Sequence, residues 1–163
     1  MIVVSDTTPL ISLMKVSLLN VLYDLFGEIF IPAAVYTELT SNENFSSEAA
    51  EIESNSFIRV VTIDNPKIVE VLQKASGLDL GESEAIAYAD DIKADFLLMD
   101  EIRGRRVARS MGLQIMGTIG VLLAAYNDGI LSKTEVEDAL DNLKKANRRI
   151  GDDIIAAAKK RLV

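Results

Sequence analysis

Val3-Val4-Ser5-Asp6-Thr7-Thr8-Pro9-Leu10-Ile11 (VVSDTTPLI, residues 3–11) is the stretch that decides the fold. Its apolar run is short and does not alternate, so it reads as a strand, Ile2–Ser5, buried on both faces. The strand ends at Asp6, and Thr8-Pro9 opens a helix with proline in the first turn. A second run of the same kind, Phe96–Met99, also ends on an acid, Asp100. Two buried strands that each stop at a carboxylate imply a parallel sheet with an acidic edge.

The remaining elements fit between and after these strands. Ser17–Phe26 reads as a helix stopped by Gly27, Glu28–Ile31 as a strand, and Pro32 as the start of a helix reaching Leu39. Ser41–Ser47 is loop-like and is followed by a short helix at Glu48–Ser54. Ile58–Ile63 has strand character, and Pro66–Ala75 is helical. Asp79-x-x-Glu82 is a capping box for a helix to Ile92. Glu101–Met111 is a basic helix, Leu113–Met116 a strand, and Thr118–Asn127 a helix closed by Gly129. Ser132-x-x-Glu135 caps one more helix, and Asp152–Arg161 forms the last. Strands alternating with helices at this spacing predict an α/β fold in three layers, α/β/α, with a mostly parallel central sheet. The C-terminal helices are appended to it. The expected organisation is a domain over 1–131 with a helical extension, 132–163, packed on it.

Composition narrows the chemistry. The 163 residues contain no Cys and no His, so disulfides, thiolate nucleophiles, Cys-bound zinc and imidazole bases are excluded. Hydrolysis would have to run on carboxylates, hydroxyls, Lys or a hard cation held by oxygen, which means Mg2+ or Mn2+. The formal charge is −8, but it is unevenly spread. Residues 103–163 hold 12 of the 17 Lys and Arg and 7 of the 25 acids, leaving +5 there and −13 over the first 102 residues. That asymmetry suits an acidic site beside an anion-binding surface, although solvated helix faces would give it too. No apolar run is long enough for a membrane span, and MIVVSDTTPL lacks the form of a signal peptide. A soluble cytoplasmic protein is expected.

Asp6, Glu38, Glu82 and Asp100 are the candidate acids. Each has a plainer explanation alone: Asp6 or Asp100 as a helix cap, Glu38 as a surface residue, Glu82 as half of its capping box. Converging, they would repel one another, and a divalent cation would relieve the repulsion. Such a cation lowers the pKa of a water and polarises a phosphate oxygen.

Four stretches, VVSDTTPLI (3–11), IPAAVYTEL (31–39), GESEAIAYADDIKADFLLMDE (81–101) and DEIRGRRVARSMGLQIMGTIGVLLAAYNDGIL (100–131), resemble successive elements of a PIN domain. The likeness covers roughly residues 2–131 and extends to VapC-type toxins and a subgroup of PIN proteins of unassigned function. It implies a metal-dependent endoribonuclease acting on RNA, the toxin of a toxin–antitoxin pair, with Asp6, Glu38, Glu82 and Asp100 catalytic. Asp6, Glu82 and Asp100 would hold Mg2+ or Mn2+, and Thr7 and Thr118 would orient carboxylates or water. Glu84 competes with Glu82 for the third acid, since side chains two apart on a helix diverge by about 200°. Many relatives carry Asp at that third position. Thr118 has an ordinary role open to it as a helix N-cap.

Arg103, Arg105, Arg106 and Arg109 would reach RNA phosphates, with Lys144, Lys145, Arg148 and Arg149 as a second strip; pairing with Glu101 and other acids is the alternative for the first group. Expected partners are RNA, a small antitoxin protein and a second copy of the chain. The dimer is also argued from the apolar helices between Pro9 and Phe26, too rich to face one core. Replacement of Asp100 by Asn is expected to raise the melting temperature of the metal-free protein or leave it unchanged. A PIN-like module that binds metal or RNA without cleaving stands as the alternative function. Phosphatases of the haloacid-dehalogenase type need a second Asp where Thr8 stands, receiver domains need an acid pair and a late Lys, and a Rossmann domain needs a glycine-rich first turn. None of these fits.

Overall fold

The computed structural model describes residues 1–146 and 150–163, so Arg148 and Arg149 lie outside the described residues. The five strands are β1 (Val3–Ser5), β2 (Ile29–Pro32), β3 (Ile58–Val61), β4 (Phe96–Leu98) and β5 (Ile115–Met116). They form one sheet in the order β3-β2-β1-β4-β5, and every neighbouring pair is parallel. Each strand side alternates between two cores. Val3, Ile29, Ile31 and Leu98 face one apolar cluster, while Val4, Leu97 and Met99 face the other. That alternation follows from the period of two along a strand and gives the three layers.

The first cluster is closed by α1 (Thr7–Lys15), α2 (Val21–Phe26), α8 (Thr118–Asn127), α9 (Lys133–Lys145) and α10 (Asp152–Lys160). The second is closed by α5 (Pro66–Ser76), α6 (Leu80–Asp91) and α7 (Ile102–Ser110). Two helices, α3 (Ala33–Ser41) and α4 (Ser46–Ser54), pack along the first cluster through Val35, Leu39 and Ile52. Val136, Leu140, Leu143 and Ile155 of the C-terminal helices share that core with Leu10 and Leu22.

Several expected boundaries move. The helix expected from Ser17 begins only at Val21. Ser17 instead takes a left-handed φ of 59° and closes α1, its amide bonding Met14 O while the Leu18 amide bonds Leu13 O. This is a Schellman ending with serine in place of the usual glycine. The expected loop at Ser41–Ser47 contains a 3-10 turn, Glu43–Phe45. Both capping boxes form: Asp79 with Glu82, and Ser132 with Glu135.

The apolar helices near the N-terminus do not stay exposed. Leu10, Ile11, Leu13, Met14, Leu19, Val21 and Leu22 are all buried in the one core, and Tyr23 is the large apolar residue there that remains exposed. Their richness therefore gives no ground for self-association. The sheet's first face covers more helix than the length of its strands suggests.

Chain order sets the position of the site. From the central β1 the chain steps outward to β2 and β3, then returns to β4 on β1's other side. The connections leaving β1 and β4 thus diverge, opening a crevice at the carboxyl ends of these two strands, where ligands of open α/β sheets bind.

Candidate functional site

Asp6 stands at the crevice, directly after β1, its amide donating to Leu98 O on β4 at 3.0 Å. It occupies the N-cap position of α1, yet its side chain makes no capping hydrogen bond. The residue is only 4% exposed. Burial pushes its pKa from the ordinary carboxylate range up to about 8; the Thr7 backbone N–H opposes the rise, while Glu82, Asp79 and Glu38 add to it. Glu38, Asp79 and Glu82 therefore all act on Asp6.

Glu38 projects from α3 and accepts a hydrogen bond from Thr7 Oγ1 at 2.9 Å. Gly81 lies beside it: a Cβ there would make ordinary contacts, 3.4 Å from Glu38 Oε2 and 3.6 Å from Asp79 Oδ1. Glu82 completes its capping box with Asp79. Its Oε2 accepts from the Asp79 amide at 3.0 Å in the capping box. Burial raises its pKa, the Asp79 backbone lowers it, and Asp79, Glu101 and Glu38 raise it further.

Glu84 points elsewhere, as the helical geometry requires. Its Oε2 accepts from the Ala34 amide at 2.9 Å, which caps the first turn of α3 from a residue 50 positions away. An open cleft of about 550 Å³ lies here between the starts of α3 and α6, lined by Ala33, Ala34, Glu38, Asp79, Gly81 and Glu84 among others.

Asp100 is not the cap of α7. That position belongs to Glu101, whose Oε2 accepts from the Gly104 amide at 2.7 Å. The Asp100 carboxylate turns to α8 instead, accepting from the Thr118 amide at 2.7 Å through Oδ1 and from Thr118 Oγ1 at 2.6 Å through Oδ2. Thr118 is accordingly the first residue of α8, with Gly117 at its N-cap. Asp100 is thus held by two hydrogen bonds, and the acid that burial and neighbouring carboxylates raise most is Asp6, so the gain in stability is expected of Asp6→Asn more than of Asp100→Asn.

The arginines divide. Arg106 and Arg109 are exposed on α7, whereas Arg105 is half-buried and donates from Nη1 to Met99 O at 3.2 Å. Burial lowers the Arg105 pKa and Arg109 lowers it further, while Asp100 works the other way. Arg103 Nη1 donates to Gly77 O at 3.3 Å. No ion pair joins these arginines to an acid among the described residues.

Asp79, Glu101 and Arg105 are participants that the sequence reading did not assign to the site in these roles. Asp79 had a visible signal, since an N-cap acid three residues before Glu82 must lie beside it. Arg105 had none, because its neighbours Met99 and Gly117 are brought to it only by the fold.

The donor set is carboxylate and hydroxyl oxygen throughout, which matches Mg2+ or Mn2+. Among the described residues no group of three or more acids is arranged as a ready-made ion cage. Still, the buried Asp6 with three acids raising its pKa fits a cation, because a positive charge there would relieve the repulsion.

Fold and site together define a parallel three-layer α/β protein with an acidic crevice at its topological switch point. The family model DUF3368, described as a PIN domain, matches residues 2–163, so the chain belongs to this PIN-domain family. Its family points to a nuclease-type function, and PIN domains typically use divalent metal ions and act on RNA. No curated protein matches the chain. No helix among the described residues is long and apolar enough to cross a membrane.

Proposed function

We propose that this protein is a Mg2+- or Mn2+-dependent endoribonuclease that hydrolyses RNA phosphodiester bonds, working in the cytoplasm as the toxin of a toxin–antitoxin pair. The observation that carries the reading is Asp6: a buried carboxyl with a pKa near 8, pressed by Glu38, Asp79 and Glu82 at the mouth of the sheet. A protein that gains nothing from this repulsion has no reason to keep it.

Asp6, Glu82 and Asp100 would hold the cation, with Glu38 completing the catalytic acids. When bound, the cation supplies a lowered pKa for water and a Lewis acid for the phosphate oxygens. Asp6 must give up its proton for the site to load. Thr7 fixes Glu38, and Thr118 fixes Asp100, so both carboxylates keep one orientation. Arg106 and Arg109 would take the phosphates leading away from the scissile bond.

We further read residues 1–131 as the nuclease domain and 132–163 as its extension. The cleft beside Glu38 and Asp79 would receive an Arg or Lys from an antitoxin. A homodimer remains part of the proposal on family grounds.

Cleavage of single-stranded RNA by purified protein tests the reading. Activity should require Mg2+ or Mn2+ and vanish in Asp6→Asn and Asp100→Asn while both variants keep wild-type circular dichroism. Undiminished metal-dependent cleavage by either variant would overturn it. A second reading, a PIN-like module that binds metal or RNA without cleaving, is favoured by the engagement of Glu82 in its capping box and of both Asp100 oxygens by Thr118. It predicts metal binding with no cleavage in the same assay.

A further inference from the structure

We propose that Arg105 is a positioning residue that fixes the Asp100 carboxylate, and that Gly117 is a glycine in order to leave room for it. The inference rests on the reading of Asp100 as a ligand of the divalent cation. It also removes Arg105 from the arginines that would meet RNA.

The geometry carries it. Gly117 has φ −89° and ψ 176°, an extended conformation open to any residue, so the backbone does not call for glycine there. Space does. A Cβ on Gly117 would stand 2.5 Å from Arg105 Nη1 and 2.9 Å from Asp100 Oδ1, both closer than real Cβ contacts come. The guanidinium and the carboxylate therefore both border the bare Cα of Gly117, too far apart for an ion pair but near enough for the charge of each to act on the other.

Each partner is anchored from its other side. Arg105 Nη1 is tied to Met99 O, the carbonyl just before Asp100. Asp100 is tied to the amide and hydroxyl of Thr118, just after Gly117. Arg105 thus ties α7 to the end of β4 and sets a positive charge behind the Asp100 carboxylate, which itself bonds the start of α8. An exposed phosphate contact would need neither the burial nor the glycine. Arg106 and Arg109, exposed on the same helix, have none of these ties among the described residues.

The test compares Arg105→Gln, Gly117→Ala and Arg106→Gln. Mn2+ affinity is measured by calorimetry, RNA affinity by anisotropy of labelled single-stranded RNA in chelator over a range of salt, and cleavage by kcat and KM. Arg105→Gln and Gly117→Ala should each lower Mn2+ affinity about 10- to 100-fold, the range for a group that orients a ligand. Both should lower kcat, leave KM unchanged and keep the wild-type salt slope for RNA. Arg106→Gln should weaken RNA binding and reduce the salt slope by about one. Arg105→Lys, which keeps the charge without the fork, should fall between wild type and Arg105→Gln. Should Arg105→Gln fail to fold, Gly117→Ala and Arg105→Lys decide the matter. Wild-type Mn2+ affinity in Gly117→Ala, or a lost salt slope with intact Mn2+ affinity in Arg105→Gln or Arg105→Lys, would overturn the proposal alone. A wild type that binds no Mn2+ would overturn the functional reading and this proposal with it.

Discussion

Replacing Asp6 by Asn should stabilise the metal-free protein, and the size of the effect follows from the burial of that carboxyl. In the folded state its pKa stands at about 8 against 3.8 for the exposed group. At about 1.4 kcal/mol per pKa unit, keeping it protonated at pH 7 costs on the order of 4 kcal/mol relative to an unfolded chain that ionises freely. Local relaxation and water entry reduce this, so about 2–4 kcal/mol is expected on substitution. For a chain of this length that amounts to a rise in Tm of roughly 5–15 °C.

The sign of the pH dependence is fixed by the same shift. Between about pH 4 and pH 8 the folded protein holds a proton on Asp6 that the unfolded chain has released. The stability this contributes is whole below the unfolded pKa and disappears as pH rises through the folded one. Glu82, also shifted upward, acts in the same direction. Thermal melts in chelator at pH 5, 6, 7 and 8 should therefore show wild type falling more steeply than Asp6→Asn, with the gap widest at pH 8. Parallel curves, with Asp6→Asn below wild type throughout, would mean that Asp6 is held by good partners and would refute the reasoning.

Glu82→Gln should keep α6 stable, since Gln also serves a capping box, yet lower Mg2+ affinity in a calorimetric titration; Glu82→Ala should lose about 1 kcal/mol as well. Thr118→Val removes one hydrogen bond to the Asp100 carboxylate from a buried site, and chemical denaturation should show a loss of about 1.5–3 kcal/mol. Burial raises the Glu48 carboxyl, but hydrogen bonds from Lys15 and Ser47 outweigh it and hold its pKa below the usual value. That contribution is present above the unfolded pKa and is lost as pH falls through the folded one, so melts of Glu48→Gln should approach wild type on acidification below about pH 4.

How much of this could be read in the chain depends on the range of the interactions. β1 and β4 were legible because buried parallel strands write themselves as unbroken apolar runs, and an acid follows each within two residues, Asp6 after β1 and Asp100 after β4. The two capping boxes were legible because all their bonds are made within four residues. Ser17 was misread as helical since its left-handed turn is made by serine, which carries no such signal. Glu84 could be set apart from Glu82 by helical geometry, but its partner, Ala34, could not be named from 50 residues away. The strip of four arginines looked uniform in sequence; the packing of Arg105 against Gly117 and Met99, and the bond from Arg103 to Gly77, separate its members.

The central claim is that the acids around Asp6 hold a divalent cation. Anomalous diffraction from crystals of the wild-type protein grown with Mn2+ tests it most directly. The account predicts one strong peak at the carboxyl ends of β1 and β4, about 2.1 Å from an Asp6 oxygen and in reach of Glu82 or Asp100, and its loss in Asp6→Asn. Mn2+ absent from this crevice at millimolar concentration, or a peak that persists unmoved in Asp6→Asn, would contradict it.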